Sequence, residues 1–237
     1  MTGIADNKDL INRIAEDESA YQYLRSFVTP NKQQLFEKVL AHRTRHVTVV
    51  LEDIYQPQNA SAVIRSCDCF GIQDLHIIEV EHTYELNKKV VKGASKWVDR
   101  HHYSSNEDAI KQLKNNGYKI VATTPHTDMT LDELPLDDKV ALMFGTESTG
   151  LTDYALSEAD YKIRIPMYGF SESFNISVSA AVSLNHLMTK LHNSQDIKWQ
   201  LSPEEYKRQE IRWILKVINK VETHVKDFYK KQRSKYE

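Results

Sequence analysis

The chain has 237 residues, of which 41% are hydrophobic and 27% charged, and its formal net charge at pH 7 is −2. These proportions are ordinary for a globular protein large enough to bury a substantial core, and no apolar run is long enough to span a bilayer. The near-neutral charge gives no overall signature of nucleic-acid binding, so RNA binding would require a local cluster of Lys and Arg.

The N-terminal segment and the cysteines further limit the kind of protein that this chain can be. Residues 1–10 are acidic and polar where a signal peptide has an apolar core, which predicts a cytoplasmic protein. Cys67 and Cys69 are two positions apart on a predicted helix and therefore lie on different faces. No Cys or His neighbours complete a zinc-type spacing. We expect no disulfide, no metal site and no membrane association.

Predicted helices and strands follow one another along most of the chain. Residues 10–41 are polar with recurring apolar positions, which indicates short amphipathic helices broken near Thr29-Pro30. From Val47 onward strands alternate with helices, which is typical of an α/β domain with a mostly parallel sheet. The predicted strands are residues 47–51, 75–80, 96–101, 118–123, 140–144 and 161–165. The predicted helices are residues 60–70, 107–115, 152–158 and 175–192.

The C-terminal segment begins with a clear helix start. Ser202 is in the N-cap position, Pro203 is in the first helical position and Glu205 completes a capping box. A helical stripe of apolar residues follows: Ile211, Ile214, Val217, Ile218, Val221, Val225 and Phe228. The predicted organisation is an N-terminal helical extension (1–45), a central domain (46–192) and a C-terminal helical extension (193–237).

Three segments share one local design, in which a strand leads through a polar turn into a helix. The first turn contains Asn59, with Arg65 six positions later; the second contains Glu147; the third contains Ser173 and Asn175. A helix N-terminus offers unpaired N–H groups and a positive dipole end, which can hold an anion. On the residues alone, Asn59 could be a plain N-cap and Arg65 could pair with a carboxylate such as that of Asp68.

Taken together, these three segments resemble the three motifs of the SPOUT class of RNA methyltransferases. The resemblance is closest to its TrmH branch, the tRNA 2'-O-ribose methyltransferases, and runs from about Val47 to Leu191. It rests on Asn59 with Arg65 (Asn-x-x-x-x-x-Arg), on Gly145-x-Glu147-x-x-Gly150, and on Ser173-x-Asn175. It implies a mostly parallel sheet flanked by helices with a C-terminal trefoil knot, S-adenosylmethionine as cofactor, and a homodimer whose active site is shared between subunits.

The resemblance also implies roles for individual residues. Arg65 is assigned to catalysis, with Asn59, Glu147, Ser173 and Asn175 as the other catalytic positions. A guanidinium is a poor general base because its pKa exceeds about 12, so we expect Arg65 to orient the hydroxyl by binding a phosphate or the developing alkoxide. The implied cofactor-binding residues are Thr123, Gly145, Ile165, Met167 and Phe174.

Several basic residues are candidates for contact with RNA phosphates, although each could equally be a solvated surface residue. The principal candidates are Arg43, Arg45, Lys96, Lys230 and Lys231. Further candidates are His42, His46, Lys88, Lys89, Lys92, Arg100, Lys226, Arg233 and Lys235.

The predicted function is methylation of a tRNA 2'-hydroxyl, most like that of the enzymes that modify guanosine 18 in the D-loop. An alternative keeps the chemistry but changes the target to ribosomal RNA or to the tRNA wobble nucleotide. A catalytically silent SPOUT-like RNA-binding protein is a second alternative, and the presence of all five catalytic positions argues against it. A generic nucleotide-binding Rossmann domain is disfavoured because no Gly-x-Gly-x-x-Gly turn follows the first strand.

Overall fold

The structure is a computed structural model that describes residues 4–80 and 93–233, with the backbone alone described for residues 232 and 233. The chain forms two compact units. One is Thr44–Gln200, and the other combines Met1–Arg43 with Leu201–Glu237. The first unit contains the sheet, whereas the second brings together helices from the two ends of the chain.

A six-stranded sheet in the order β3-β2-β1-β5-β4-β6 forms the centre of the unit Thr44–Gln200. All its strand pairings are parallel; Val49, for example, lies beside Leu75 on one side and Leu142 on the other. The predicted α/β class with a mostly parallel sheet is thus confirmed. The strands are β1 (Val47–Glu52), β2 (Asp74–Ile78), β3 (Asp99–Tyr103), β4 (Tyr118–Thr123), β5 (Lys139–Phe144) and β6 (Tyr161–Ile163).

Helices cover both faces of this sheet. Val49 and Leu51 of β1 belong to the buried cluster that contains α4 and α7 residues, and Val50 belongs to the cluster with α5 and α6 on the opposite face. Burial on both faces explains why the central strands are almost continuously apolar. Among the described residues of this unit, the helices are α4 (Pro57–Cys69), α5 (Asn106–Asn115), α6 (Asp153–Glu158) and α7 (Ile176–Asn193).

Helix α4 begins earlier than the sequence predicts. Its first residue is Pro57, preceded by Gln56 as N-cap, and the fixed φ of proline suits the first helical position. Asn59 therefore lies in the first turn of the helix, and the prediction that it precedes the helix as an N-cap is wrong.

The third strand is also displaced from its predicted position at residues 96–101. Gly93, with φ +84°, leads into a short 3-10 helix at Ala94–Lys96, and β3 begins only at Asp99, beside Asp74 of β2. Because the backbone N–H of Lys96 is bonded to the Gly93 carbonyl in this turn, it does not pair with β2. Lys96 thus belongs to a turn and not to a strand.

The second unit consists of helices and is held by polar as well as apolar contacts. Glu210 is 4% exposed and accepts hydrogen bonds from the Tyr21 hydroxyl (2.7 Å) and from Nε of Arg25 (3.2 Å). Its helices are α1 (Lys8–Glu16), α2 (Glu18–Arg25), α3 (Pro30–Leu40), α8 (Pro203–Val217) and α9 (Val221–Arg233). Across residues 4–80 and 93–233, no helix combines the length and the apolar character needed to cross a bilayer.

The predicted capping box is present, but the apolar stripe after it is divided between two helices. The Ser202 hydroxyl accepts from the backbone N–H of Glu205, whose carboxylate accepts from that of Ser202. Between α8 and α9, Lys220 has φ +53°, a left-handed conformation that cannot continue a right-handed helix. The expectation of one continuous stripe from Ile211 to Phe228 is therefore corrected.

Candidate active site

A cavity of about 760 Å³ lies where β4, β5 and β6 end and their connecting loops begin. Ligands of open α/β sheets bind at this carboxyl edge of the strands. The five predicted cofactor positions, which are distant in sequence, all line this one cavity: Thr123, Gly145, Ile165, Met167 and Phe174.

The lining combines an apolar part with a polar rim. Apolar side chains come from the ends of the strands and from the first turn of α7, among them Phe144, Ile163 and Ile176. The charged or titratable side chains at the cavity are His126, Glu147, Arg164 and Glu172. Within the described ranges there is no group of three or more His, Cys, Asp or Glu side chains placed to hold a metal ion.

The loop of residues 145–151, which connects β5 to α6, forms one wall of the cavity and closes on itself. The backbones of Thr146 and Gly150 exchange two hydrogen bonds, of 3.0 and 3.1 Å, and the Thr146 hydroxyl lies 2.7 Å from that of Thr149. A Cβ atom at Gly145 would lie 2.1 Å from the carbonyl oxygen of Gly150. This loop conformation therefore requires glycine at position 145.

Three of the predicted catalytic side chains meet beside this loop. Oε1 of Glu147 accepts from Nδ2 of Asn59 at 2.8 Å and from Nδ2 of Asn175 at 2.6 Å. The amide of Asn175 also donates to Oδ1 of Asn59, at 3.1 Å, while its own Oδ1 accepts from the backbone N–H of Ser177 as the N-cap of α7. The turns that follow β1, β5 and β6 are thus joined by side chains, with Glu147 as the shared acceptor.

Ser173 and Arg65 stand apart from this network. Ser173 is exposed and lines the cavity. Arg65 projects from the exposed side of α4, away from the cavity lining, and makes no hydrogen bond or ion pair with another residue in the described part of the chain. The pairing of Arg65 with Asp68, which the sequence allowed, does not occur.

The model of the SpoU rRNA Methylase family matches residues 46–185, which is more than half of the chain. This chain belongs to the SpoU family. The matched residues include all three motifs and every residue of the network described above, so the predicted TrmH-type resemblance is confirmed.

Relatives of this SpoU chain carry names that describe tRNA modification. It is 40% identical over 196 residues to the tRNA (guanosine(18)-2'-O)-methyltransferase of Borreliella burgdorferi, covering 82% of this chain and 89% of the relative. A similar crystal structure is that of the A. aeolicus TrmH/SpoU tRNA modifying enzyme, with a TM-score of 0.72, 26% identity, and coverage of 80% of this chain and 98% of the other.

A third similar structure contains a cofactor. The SpoU methyltransferase AviRb from Streptomyces viridochromogenes, solved in complex with AdoMet, has a TM-score of 0.58 and 20% identity, and the match covers 66% of this chain and 65% of AviRb. At this identity the similarity establishes a common fold.

Two of the predicted RNA-binding arginines of the SpoU chain are engaged inside the protein. Arg43 is 1% exposed, with its guanidinium 5.3 Å from the ring centroid of Trp213. Arg45 donates from Nε to Asp74 at 2.7 Å and from Nη2 to Asp99 at 3.4 Å. Burial of the first and ion pairing of the second correct the expectation that they present free charge to RNA.

Asp74, the nearer of the two acidic partners of Arg45, is held ionised by its surroundings. Burial alone would raise the pKa of Asp74, but a hydrogen bond from His101 and the charge of Arg45 hold that pKa well below its usual range. The cluster of Arg45, Asp74, Asp99 and His101 therefore stabilises the sheet at β2 and β3.

The predicted lysines whose side chains the structure describes lie at the surface. Lys96, Lys230 and Lys231 are exposed, and the ammonium of Lys96 lies 5.3 Å from the ring centroid of Trp97. Lys88, Lys89, Lys92 and Lys235 lie outside the described residues, as does the side chain of Arg233.

Two residues of the site were missed by the sequence analysis. Gln56 accepts from Asn59 through its side chain at 3.3 Å, and its position before Pro57 at a helix start is the signal that could have identified it. Arg164 lines the cavity between Ile163 and Ile165. A lone cation between two apolar strand residues that lead into a motif could have been flagged.

Proposed function

We propose that this chain methylates the ribose 2'-hydroxyl of guanosine 18 in tRNA, with S-adenosylmethionine as the methyl donor, in the cytoplasm. The observation that carries the proposal is the 40% identity, over 82% of the chain, with a protein named for that reaction. The geometry is consistent with it, because Asn59, Glu147 and Asn175 meet beside the cavity that contains the predicted cofactor positions.

The cavity suits S-adenosylmethionine in volume and in lining. About 760 Å³ lies within the range of roughly 300–1,000 Å³ that is typical of small-molecule sites. Phe144, Leu151 and Ile163 would cover the apolar adenine ring, and main-chain groups of residues 145–151 would bond its edges. When bound, the cofactor supplies a methyl group on a sulfonium that is already reactive. The contribution of the protein is then to orient the hydroxyl and to exclude water.

Arg65 is the residue we assign to the substrate side of the reaction. Its guanidinium carries planar, forked donors suited to a phosphate or a developing alkoxide. Because the described residues leave it without a polar partner, it can bind such a group without first breaking another contact. The proton of the ribose hydroxyl would pass to the neighbouring phosphate or to water.

Because Arg65 does not line the cavity of its own chain, we propose a homodimer in which each cavity is completed by Arg65 of the second copy. Exposed apolar side chains near the cavity support this arrangement. Phe174 lies just before α7, and Val178 and Val182 follow it at four-residue intervals within the helix. Tyr168 and Phe170 are almost fully exposed in the preceding segment. A second copy would cover this apolar surface.

We also propose that the segment after β6 threads through earlier loops as a trefoil knot. Arg164 exchanges backbone hydrogen bonds with Met129 and Leu131 of the β4–β5 connection, at 3.0 and 3.1 Å, and Asn175 then contacts Glu147 of the β5–α6 loop. The segment is thus bonded to two earlier loops on its way to α7. An experimental structure in which the chain, pulled from its two ends, straightens without forming a knot would contradict this proposal.

RNA contact beyond the active site is proposed for Lys96, Lys230 and Lys231, which are exposed. The last two lie on α9, so the helices at the two ends of the chain would add RNA affinity to a central catalytic domain. Phosphate contacts by lysines increase affinity without reading sequence.

Methyl transfer to defined tRNA transcripts tests the proposal. Tritiated S-adenosylmethionine is incubated with the protein and a transcript containing guanosine 18, followed by nucleoside digestion. We expect label in 2'-O-methylguanosine, and none when the ribose at position 18 is 2'-deoxy. Label in the wobble nucleotide or in ribosomal RNA would change the target, and RNA binding without any transfer would indicate a silent RNA-binding protein.

A further inference from the structure

A buried carboxylate lies at the end of β1, outside the motif residues. Glu52 is 2% exposed, and burying a charged group is costly unless hydrogen bonds compensate for the lost water. Its Oε2 accepts from the backbone N–H of Thr152 at 2.9 Å, and its Oε1 accepts from the Thr152 hydroxyl at 2.7 Å. Among the described residues Glu52 has no cationic partner, so Thr152 alone supplies its donors.

Thr152 is held in a single orientation by its other contacts. Its hydroxyl oxygen also accepts from the backbone N–H of Ala155, as the N-cap of α6, and from Nδ2 of Asn106, both at 3.2 Å. With two hydrogen bonds accepted, the hydroxyl proton is directed to Glu52. The contact therefore fixes both the backbone and the side chain of Thr152.

Thr152 is the residue at which the cavity loop ends. Residues 144–151 all line the cavity. The two backbone hydrogen bonds between Thr146 and Gly150 hold the loop in one internal conformation. Its other end is Phe144, which is fixed by the pairing of β5 with β1. Its position therefore depends on these two ends and on the bonds that Glu147 accepts from Asn59 and Asn175, and Glu52 sets the second end.

Glu52 also begins the turn that leads to α4. Asp53 has φ +53°, an uncommon conformation for a residue other than glycine that surrounding contacts must enforce. Here the Asp53 backbone N–H donates to the Ile78 carbonyl at 2.9 Å, and Oδ1 of Asp53 accepts from the Val80 N–H at 3.2 Å. The chain that leads to Asn59 and Arg65 and the wall of the cavity are thus both anchored at the end of β1.

We infer that Glu52 is a positioning residue for the methyl donor: through Thr152 it holds the loop of residues 145–151 against the bound cofactor. This inference rests on the proposed function, because it concerns the ligand of that cavity. It predicts that loss of the contact weakens cofactor binding more than it weakens RNA binding or the folded state.

The test measures the affinity of the full-length protein for S-adenosylhomocysteine by titration calorimetry, with KM for each substrate and the melting temperature alongside. Glu52→Gln removes the charge at constant size, and Thr152→Val removes the hydroxyl. We expect each to raise Kd and the KM for S-adenosylmethionine about tenfold, with KM for tRNA within about twofold. Thr152→Ser, which keeps the hydroxyl, should stay near wild type. The effect of the Glu52→Gln/Thr152→Val double variant should be smaller than the sum of the two single effects, because both substitutions weaken the interaction between the same two residues.

Asp74→Asn is the matched control, because it alters another buried and hydrogen-bonded carboxylate of the same sheet. It should lower the melting temperature and leave Kd unchanged. An unchanged Kd in folded Glu52→Gln, or an equal increase in Asp74→Asn, would overturn the inference. If Glu52→Gln does not fold, the Kd values of Thr152→Val and Thr152→Ser are compared, and equal values would overturn the inference. Failure of the wild-type protein to bind S-adenosylhomocysteine would instead contradict the proposed function itself.

Discussion

The amide nitrogen of Asn175 lies 2.6 Å from Oε1 of Glu147, and that same oxygen accepts from Asn59 at 2.8 Å. One carboxylate oxygen therefore joins residues that are 28 and 88 positions away in sequence. Hydrogen bonds to a charged acceptor are stronger than neutral ones, so Glu147 determines how the start of α7 lies relative to the start of α4.

Replacing Glu147 with Ala should disable this arrangement, because it leaves two amide groups without their acceptor. We expect kcat/KM to fall at least about tenfold, as for the loss of a charge-assisted hydrogen bond of about 1.5–3 kcal/mol. Glu147→Gln retains a carbonyl oxygen that can accept from both amides and should keep more activity than Glu147→Ala. Steady-state kinetics on both variants check this, and equal losses would show that the charge matters more than the geometry.

Arg65→Lys should be nearly as damaging as Arg65→Ala. Lysine keeps the charge but loses the planar, forked donors, and we expect either variant to lower kcat about a hundredfold, as for the loss of an oriented group that stabilises charge in the transition state. Because Arg65 lies outside the cavity lining, S-adenosylhomocysteine affinity should stay unchanged. Near-normal turnover in Arg65→Lys would mean that charge alone suffices.

Mixing two inactive variants should restore activity if the site is shared between copies. Arg65→Ala removes the guanidinium assigned to the substrate, and Ile165→Trp places an indole ring in the cavity. Random mixing produces heterodimers in which one site has both defects and the other has none, so roughly a quarter of wild-type activity should return. Activity assays of each variant alone and of the mixture check this, together with a measurement of the molecular mass of the protein in solution. A fully active monomer would contradict the shared site.

Lys230→Gln/Lys231→Gln should weaken tRNA binding and leave cofactor binding intact. The double substitution is a more specific test than removal of the tail after Lys226. That truncation would also remove Phe228, whose ring centroid lies 5.0 Å from that of Tyr23. Each lost phosphate contact should reduce the slope of log K against log salt by about 0.9 for a duplex. Filter binding at several salt concentrations measures the slope, with Lys111→Gln, an exposed lysine of α5, as control. An unchanged slope would leave these lysines as solvated surface.

Acid should destabilise the protein through His76. Burial lowers the pKa of His76 to about 4, with a further lowering by His101 and an opposing effect of Asp74. The folded pKa is below the unfolded value of about 6.5, so this stability is fully present above pH 6.5 and is lost as pH falls towards 4. We expect the free energy of unfolding to fall by at most about 1.4 kcal/mol per pH unit in that window.

Urea denaturation at pH 7.5, 6 and 5 measures the effect of His76. His76→Gln should reduce the pH dependence between 6.5 and 4, whereas His126→Gln, an exposed control, should retain it. Equal pH dependence in wild type and His76→Gln would assign the effect to other groups.

Sequence reasoning succeeded where local chemistry determines structure. The central strands were predictable because burial on both faces leaves them apolar, and Ser202 with Glu205 was predictable because a capping box is a local pattern. The break at Lys220 was not, since neither glycine nor proline marks it. Nor was the engagement of Arg45, because Asp74 and Asp99 reach it only through the order of strands in the sheet.

The candidate site was predictable in part for the same reason. Each motif could be placed in the turn that follows a strand, and the carboxyl ends of parallel strands lie at one edge of a sheet. Residue spacing does not determine the direction of a side chain. It therefore predicts neither that Oε1 of Glu147 is the shared acceptor nor that Arg65 is absent from the cavity lining. The resemblance to SPOUT enzymes identified the residues but not their contacts.

The order in which the cavity's walls appear along the chain has a consequence for biosynthesis. The lining extends from Thr123 to Ser179, and the part after Tyr161 comes from a three-residue edge strand, the connection that follows it and the start of α7. A nascent chain that ends before Tyr161 carries five strands of the sheet but lacks one side of the cavity. Because a ligand stabilises only the state that binds it, any ligand of this cavity would selectively protect chains whose last strand has docked, and truncated products would stay exposed to proteolysis.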